Sequence, residues 1–164
     1  TEIKDTVNLR KTRPFTINDS EYYMPKKSVF NITSGDSRLE LDFSAYLDRC
    51  DDVLSHGKNY FAVNFKLEYQ NADGNISYYY PDFLVNLTPL SNKEELYVVE
   101  TKGREDLDVP LKMKRLKQWC KDVNEIPNAK QIWNFLYVPQ DDFESYVDSL
   151  KSFRELVQIC KEYQ

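Results

Sequence analysis

The chain has 164 residues and little of what soft metals and disulfide frameworks need. It holds a single histidine, His56, which stands between Ser55 and Gly57 in an expected loop and is assigned no role. Its 3 cysteines, Cys50, Cys120 and Cys160, are widely separated. With no paired spacing, neither a zinc knuckle nor a disulfide framework is indicated, and a reduced, cytoplasmic setting is expected. No apolar run reaches membrane length and no signal peptide is recognisable, so no membrane partner is expected. There is no Gly-x-x-x-x-Gly-Lys loop to cradle a nucleotide. Repeats and low-complexity tracts are missing as well. A net charge of −5 excludes a molecule that binds polyanions over its whole surface.

What is present suits one folded domain with a substantial core: 41% hydrophobic and 30% charged residues, with 14% aromatic residues that include 12 tyrosines. Residues 1–35 are polar, with Pro14 and Pro25, and read as an N-terminal arm with one strand near Val29 to Ile32. Residues 36–164 read as an α/β domain. Ser34-Gly35-Asp36-Ser37 supplies turn chemistry and helix caps. Leu39, Phe43, Tyr46, Leu47 and Cys50 then recur at helical spacing. The alternation of Phe61, Val63, Phe65, Leu67 and Tyr69 with polar residues predicts a strand, and Asn71 to Asn75 a hairpin loop. Residues 76–87 return and 96–102 follow, completing a three-stranded antiparallel meander. Pro110, with Asp108 as a cap before it, opens a second helix that buries Met113, Leu116, Cys120 and Val123. The apolar run 132–138 predicts a strand buried on both sides. A closing helix carries Phe143, Tyr146, Val147, Leu150, Val157 and Cys160. The chain begins with Thr1, as expected of a piece cut from something larger.

Two short strands carry charge where an apolar strand usually meets turn residues. They are Tyr80-Pro81-Asp82-Phe83-Leu84-Val85 and Leu96-Tyr97-Val98-Val99-Glu100-Thr101-Lys102-Gly103. A register that sets Asp82 opposite Glu100 turns the hairpin around Ser91, within a proline-bearing polar run. Phe83, Val85 and Leu87 then share a core face with Tyr97 and Val99, while Asp82, Asn86, Val98, Glu100 and Lys102 share the other. Glu-x-Lys alone says little, since Glu2-Ile3-Lys4 repeats it, but Pro81-Asp82 is the only Pro-Asp in the chain. Two converging carboxylates disfavour double ionisation unless a cation lies between them, and all-oxygen ligands select magnesium or manganese. Such an ion polarises a phosphoryl oxygen and activates water, which Lys102 can orient or help deprotonate. Glu40, one position off the first helix's apolar stripe, is either an ordinary surface acid or a further ligand.

Positive charge follows the strands. Between Lys102 and Lys121 stand seven basic residues, Lys102, Arg104, Lys112, Lys114, Arg115, Lys117 and Lys121, against three acids, Glu105, Asp106 and Asp108. They form either a solvated helix face or a contact for nucleic-acid phosphates. Lys114 can share a face with Lys117 or Lys121.

Pro81-Asp82 and Glu100-Thr101-Lys102, in this order of helices and strands, resemble the PD-(D/E)XK nuclease superfamily. Ser37 to Ser44, Asp51-Asp52-Val53, Lys58-Asn59, Tyr80-Pro81-Asp82-Phe83, Val99 to Gly103, Asp108-Val109-Pro110, Trp119-Cys120 and Val123-Asn124 together are similar to the C-terminal endonuclease domain of type III restriction enzyme restriction subunits. The resemblance runs from about Val29 to Val138. It implies a restriction-endonuclease-like core, with a mixed sheet, an antiparallel meander and flanking helices. It implies magnesium-dependent or manganese-dependent hydrolysis of double-stranded DNA, with Asp82, Glu100 and Glu40 as acids, Lys102 as the catalytic lysine, and Thr101 added to the metal-binding positions. Asp42 competes with Glu40 as the helix acid. Lys112, Lys114, Lys117 and Lys121 are the expected DNA-contacting lysines. The implied partners are an upstream helicase region, which alone would use ATP, and a methyltransferase subunit. The alternative is a catalytically silent domain of this fold that binds DNA or docks a partner; cleavage of RNA or branched DNA stays open.

Overall fold

The computed structural model describes residues 6–35, 37–103 and 107–163. Glu2, Ile3, Lys4, Asp36, Arg104, Glu105 and Asp106 lie outside the described residues. The fold is α/β: a mixed sheet between two layers of helices and a hairpin. A 3-10 turn, Leu9–Lys11, leads to β1 (Tyr22–Tyr23) and β2 (Thr33–Ser34), a small antiparallel pair. Then follow α1 (Arg38–Arg49), β3 (Val53–Lys58), β4 (Leu67–Gln70), β5 (Ile76–Tyr79), β6 (Phe83–Leu87) and β7 (Glu94–Lys102). The chain closes with α2 (Val109–Asn124), β8 (Gln131–Pro139), α3 (Gln140–Tyr146), α4 (Phe153–Ile159) and a 3-10 turn, Cys160–Tyr163. No helix among the described residues is long and apolar enough to cross a membrane.

The main sheet has the order β3-β6-β7-β8. The first three strands form an antiparallel meander, and β8 joins β7 in parallel after the α2 crossover. Of the expected meander only the pairing of Phe83–Leu87 with the 96–102 strand is found; the first strand of the meander in the sheet is Val53–Lys58 and not residues 61–69. Residues 60–64 instead fold into successive turns: Val63 N donates to Tyr60 O at 2.9 Å and Asn64 N to Phe61 O at 3.1 Å. Asn64 sits at φ 60°, the left-handed region that asparagine tolerates and that ends a strand. Only Leu67–Gln70 extends, and it pairs with Ile76–Tyr79 as a separate two-stranded hairpin. Residues 76–87 are correspondingly broken at Tyr80-Pro81-Asp82.

Both sheet faces are buried. On one, Phe83, Val85, Leu87, Tyr97, Val99, Leu136 and Val138 pack against Leu39, Phe43, Tyr46 and Leu47 of α1 and against Phe143, Phe153, Leu156 and Cys160. This is the predicted core face and the predicted helix stripe. The other face is a second core: Leu84 and Val98 meet Leu116 and Cys120 of α2 and Leu67, Tyr69 and Tyr79 of the hairpin. Trp119 stands edge-on between Phe65 and Trp133, with centroids 5.3 and 5.2 Å away, so it is a packing residue.

Three further expectations are corrected. β8 is an edge strand, fully buried only from Leu136 to Val138, because β7 is its one neighbour in the sheet. The closing helix is two helices, since Ser152 and Glu155 form a capping box that starts α4 afresh. The arm strand is displaced from Val29–Ile32 to Thr33–Ser34, because Val29 N instead donates to His56 O at the free edge of β3. That docking explains Gly57: a Cβ there would stand 2.9 Å from Val29 Cγ2 and 3.0 Å from Leu9 Cδ2. His56 itself is in a strand and not a loop, with Nε2 3.0 Å from Asp48 Oδ1. Asp48 also accepts from Tyr23 Oη and from the Lys26 and Lys27 amides, so this buried pair fastens the arm.

Candidate functional site: an acid cluster at the end of β6 and β7

The β6–β7 register pairs Phe83 with Val99 and Leu84 with Val98. Continued one step, this register runs to Asp82 and Glu100, the pair the sequence predicts, although the ladder ends at Phe83 and Asp82 N turns to Val99 O at 3.0 Å. Pro81 breaks β5 from β6 here, because proline has no ladder donor, and releases the Asp82 side chain at the strand's start. Asn59 holds the break from the far side. Its Nδ2 donates to Pro81 O at 2.9 Å and to Phe65 O at 2.8 Å, and its own amide donates to Asp82 O at 2.7 Å.

One oxygen of Asp82, Oδ2, accepts both the Thr101 amide and Thr101 Oγ1, each at 2.7 Å. Glu100 is buried, 7% exposed, and Tyr79 Oη donates to its Oε2 at 2.9 Å. Burial is the main cause that lifts the Asp82 carboxyl to about 6, and the Glu40 charge adds to it, against the Thr101 hydrogen bonds and Lys58. Burial likewise lifts Glu100 to about 8; the Asp82 charge adds to this, while Tyr79, Lys102 and Lys112 oppose it. Tyr79 is itself held far above the usual phenol range by burial beside Glu100. The two carboxyls titrate as a pair.

Glu40 projects from the first turn of α1 and forms an ion pair with Lys58, at the end of β3; each side chain is 12% exposed. Asp42 points elsewhere, 2.9 Å from Arg38 Nε in an exposed ion pair. Of Glu40 and Asp42, Glu40 is the one whose charge is felt at Asp82. Lys102 ends β7, half-buried, with its charge felt at Glu100. The four α2 lysines divide: Lys114, Lys117 and Lys121 are exposed, whereas half-buried Lys112 stands over the Tyr69 ring at 6.0 Å and acts on Glu100. Asp108 stands at the predicted N-cap position, but its side chain reaches back to the hairpin, accepting from Tyr69 Oη at 2.8 Å and from Ala72 N at 2.9 Å.

Sequence reasoning did not assign roles to Lys58, Asn59 or Tyr79. Lys58-Asn59 was legible only as part of a motif order, and Tyr79 as one of three consecutive tyrosines before Pro81. The donor set suits a hard divalent cation, because the two buried carboxylates raise each other's cost of ionisation and a cation between them offsets it. Among the described residues, however, no three His, Cys, Asp or Glu side chains already stand together as a metal-holding group. A cavity of about 690 Å3 lined by Glu94, Val123, Ile126, Gln131 and Trp133 opens at the opposite end of β7 and contains none of these acids. No protein-family model matches this chain, and no curated protein or solved structure matches it either.

Proposed function

We propose that this chain is a metal-dependent nuclease domain that hydrolyses DNA phosphodiester bonds, built on a restriction-endonuclease-like core. One observation carries the reading: the strand register brings Asp82 and Glu100 together beside Lys102, with both carboxyls held above their usual range. Asp82 and Glu100 would hold a magnesium or manganese ion, with Glu40 and Thr101 as further positions near it. The ion would polarise the phosphoryl oxygen and make bound water a stronger acid. Lys102 orients the attacking water and stabilises negative charge developing at phosphorus. Thr101 holds Asp82 in one rotamer, and Tyr79 does the same for Glu100, so the pair is placed before substrate arrives. In a larger assembly the domain would be the cleavage module of a type III restriction enzyme, supplied with DNA by a helicase region and paired with a methyltransferase subunit.

Calorimetric titration with manganese tests the site apart from turnover. The protein should bind the ion, and the Asp82→Ala, Glu100→Ala double variant should lose at least about tenfold in affinity, since the ion loses two charged ligands. Equal affinity in the two proteins overturns the reading. A silent domain of the same fold is the second reading, favoured by the Glu40 carboxylate already being matched by Lys58. It requires duplex binding that responds to neither metal nor the acids.

Lys114, Lys117 and Lys121 form one exposed face of α2, and Lys112 belongs with the acid cluster. Replacing the three by alanine should make duplex binding less salt-dependent. The slope of log affinity against log salt should fall by about 0.9 for each phosphate that is no longer neutralised. Replacing Lys112 should change that slope least. Anisotropy titrations over a salt series check both, and an unchanged slope in the triple variant removes α2 from the interface.

A further inference from the structure

We propose that Lys58 is a tethered counter-cation, which a divalent ion must displace from Glu40 before Glu40 can join Asp82 and Glu100. The inference rests on the nuclease reading above and assigns that site a further positioning residue. The strand register places Lys58 beside the site: its Cα partner is Phe83, the residue after Asp82. Its neighbour Asn59 donates to the Asp82 carbonyl at 2.7 Å, which ties the end of β3 to the Pro81-Asp82 break. The ammonium is paired with Glu40 Oε2, and both side chains are nearly excluded from water, at 12% exposure each.

The surroundings restrict other arrangements of this pair. A Cβ at Gly35 would stand 2.5 Å from Glu40 Oε2 and 2.9 Å from Glu40 Cβ, so the arm's backbone packs directly on the glutamate. On the other side, Lys58 Nζ lies 5.7 Å from the Tyr60 ring centroid, within range of a cation–π contact. Tyr60 is fixed in turn by hydrogen bonds to Ser34 N at 2.9 Å and Ile32 O at 3.2 Å. The ammonium thus has a carboxylate in front and an anchored aromatic face nearby, where its charge keeps a favourable contact once the carboxylate is taken by a metal. The acids number three, Glu40, Asp82 and Glu100, and Lys58 is a cation bonded directly to one of them. A divalent ion and this ammonium satisfy the same carboxylate, so they compete.

A purely structural ion pair and a competing cation differ in the sign of one measurement. Removing a structural lysine leaves a loosened site that binds metal equally or more weakly. Removing a competitor tightens binding. Manganese is titrated calorimetrically into EDTA-treated wild-type protein, Lys58→Met, Glu40→Gln and the double variant, with folding checked by circular dichroism. Lys58→Met is expected to bind manganese on the order of tenfold more tightly, the scale of one removed charge–charge competition near a protein surface. That gain should vanish on the Glu40→Gln background, because the coupling runs through that carboxylate. A gain that persists without Glu40 marks a general field effect and overturns the proposal, as does an unchanged or lower affinity in folded Lys58→Met. Should Lys58→Met fail to fold, Lys58→Arg decides. Its forked guanidinium pairs with Glu40 more firmly and should weaken manganese binding; an equal or higher affinity overturns the proposal. If wild type binds no manganese and matches the Asp82→Ala, Glu100→Ala variant, the nuclease reading falls too. If wild type binds and only the Lys58 variants are unresponsive, the displacement alone is refuted.

Discussion

Asp82→Asn is expected to abolish magnesium-dependent cleavage of plasmid DNA, lowering the rate by at least about a hundredfold, the usual scale for losing one aimed charge at a reacting phosphate. It should do so without loosening the fold. Both Thr101 donors meet the same oxygen, Oδ2, at 2.7 Å each. An asparagine that puts its carbonyl oxygen there keeps both hydrogen bonds. What disappears is the negative charge and the second oxygen, the two things a cation needs. The same change removes the like charge that helps hold Glu100 up near 8. Metal-free Asp82→Asn should therefore unfold at a temperature no lower than wild type at pH 8, while cleaving nothing. Plasmid conversion rates and scanning calorimetry on the same preparations check the two halves. Cleavage within tenfold of wild type would remove Asp82 from the reaction; absent activity with a lowered melting temperature would point to damage instead.

The part of the fold carried by one strong local pattern was legible. The α1 stripe, the α2 start at Pro110 and the β6–β7 register follow from periodicity, a proline and a turn, and each is a short-range fact. The failures were tertiary. Val53–Lys58 looks like a poor strand because it holds serine, glycine and lysine around a histidine. It extends because Val29 and Leu9 cover Gly57 and Asp48 receives His56, and those contacts come from distant segments. Residues 61–65 alternate well enough to pass for a strand, yet Asn64 turns left-handed and Asn59 bridges Phe65 to Pro81. The split of the last helix had a local signal, Ser152 followed by Glu155, that the apolar spacing masked.

The candidate site divides in the same way. Glu100 and Lys102 lie on β7 and Asp82 immediately precedes its neighbour β6, so alternation and register were enough to gather them. Glu40 arrives from a helix, and the choice between Glu40 and Asp42 needed the position of Lys58. Lys58 was invisible as a partner because it belongs to the strand that sequence reasoning missed. Tyr79 was invisible because its hydroxyl matters only once β5 has been separated from β6 and laid over Glu100.

Raising the pH from 6.5 to 8.5 should destabilise the metal-free protein by about 2 kcal/mol, the work of removing one tightly held proton across that window. Glu100 is lifted to about 8 and Asp82 to about 6, so both bind protons more tightly folded than unfolded. Their contribution to stability is complete below the ordinary carboxylate range and is lost as pH rises through those values. His56 works in the opposite sense, because burial holds it neutral and lowers its pKa. It costs stability only below the pH where an unfolded histidine gains a proton, about 6.5. Above that point His56 is silent and the slope belongs to the acid pair, chiefly Glu100. For a domain of this size the change corresponds to a melting temperature about 4 to 8 °C lower at pH 8.5. Glu100→Gln, which keeps an acceptor for Tyr79 and has no proton to lose, should flatten the slope. Saturating manganese should reverse it, since the ion replaces the proton as counter-charge and binds better as pH rises. Scanning fluorimetry in EDTA and in manganese across five pH values would measure all three curves. A wild-type slope unchanged by Glu100→Gln would mean that Glu100 is ionised throughout and that the pair has no need of a cation, and with that the central reason for placing a metal between β6 and β7 would be gone.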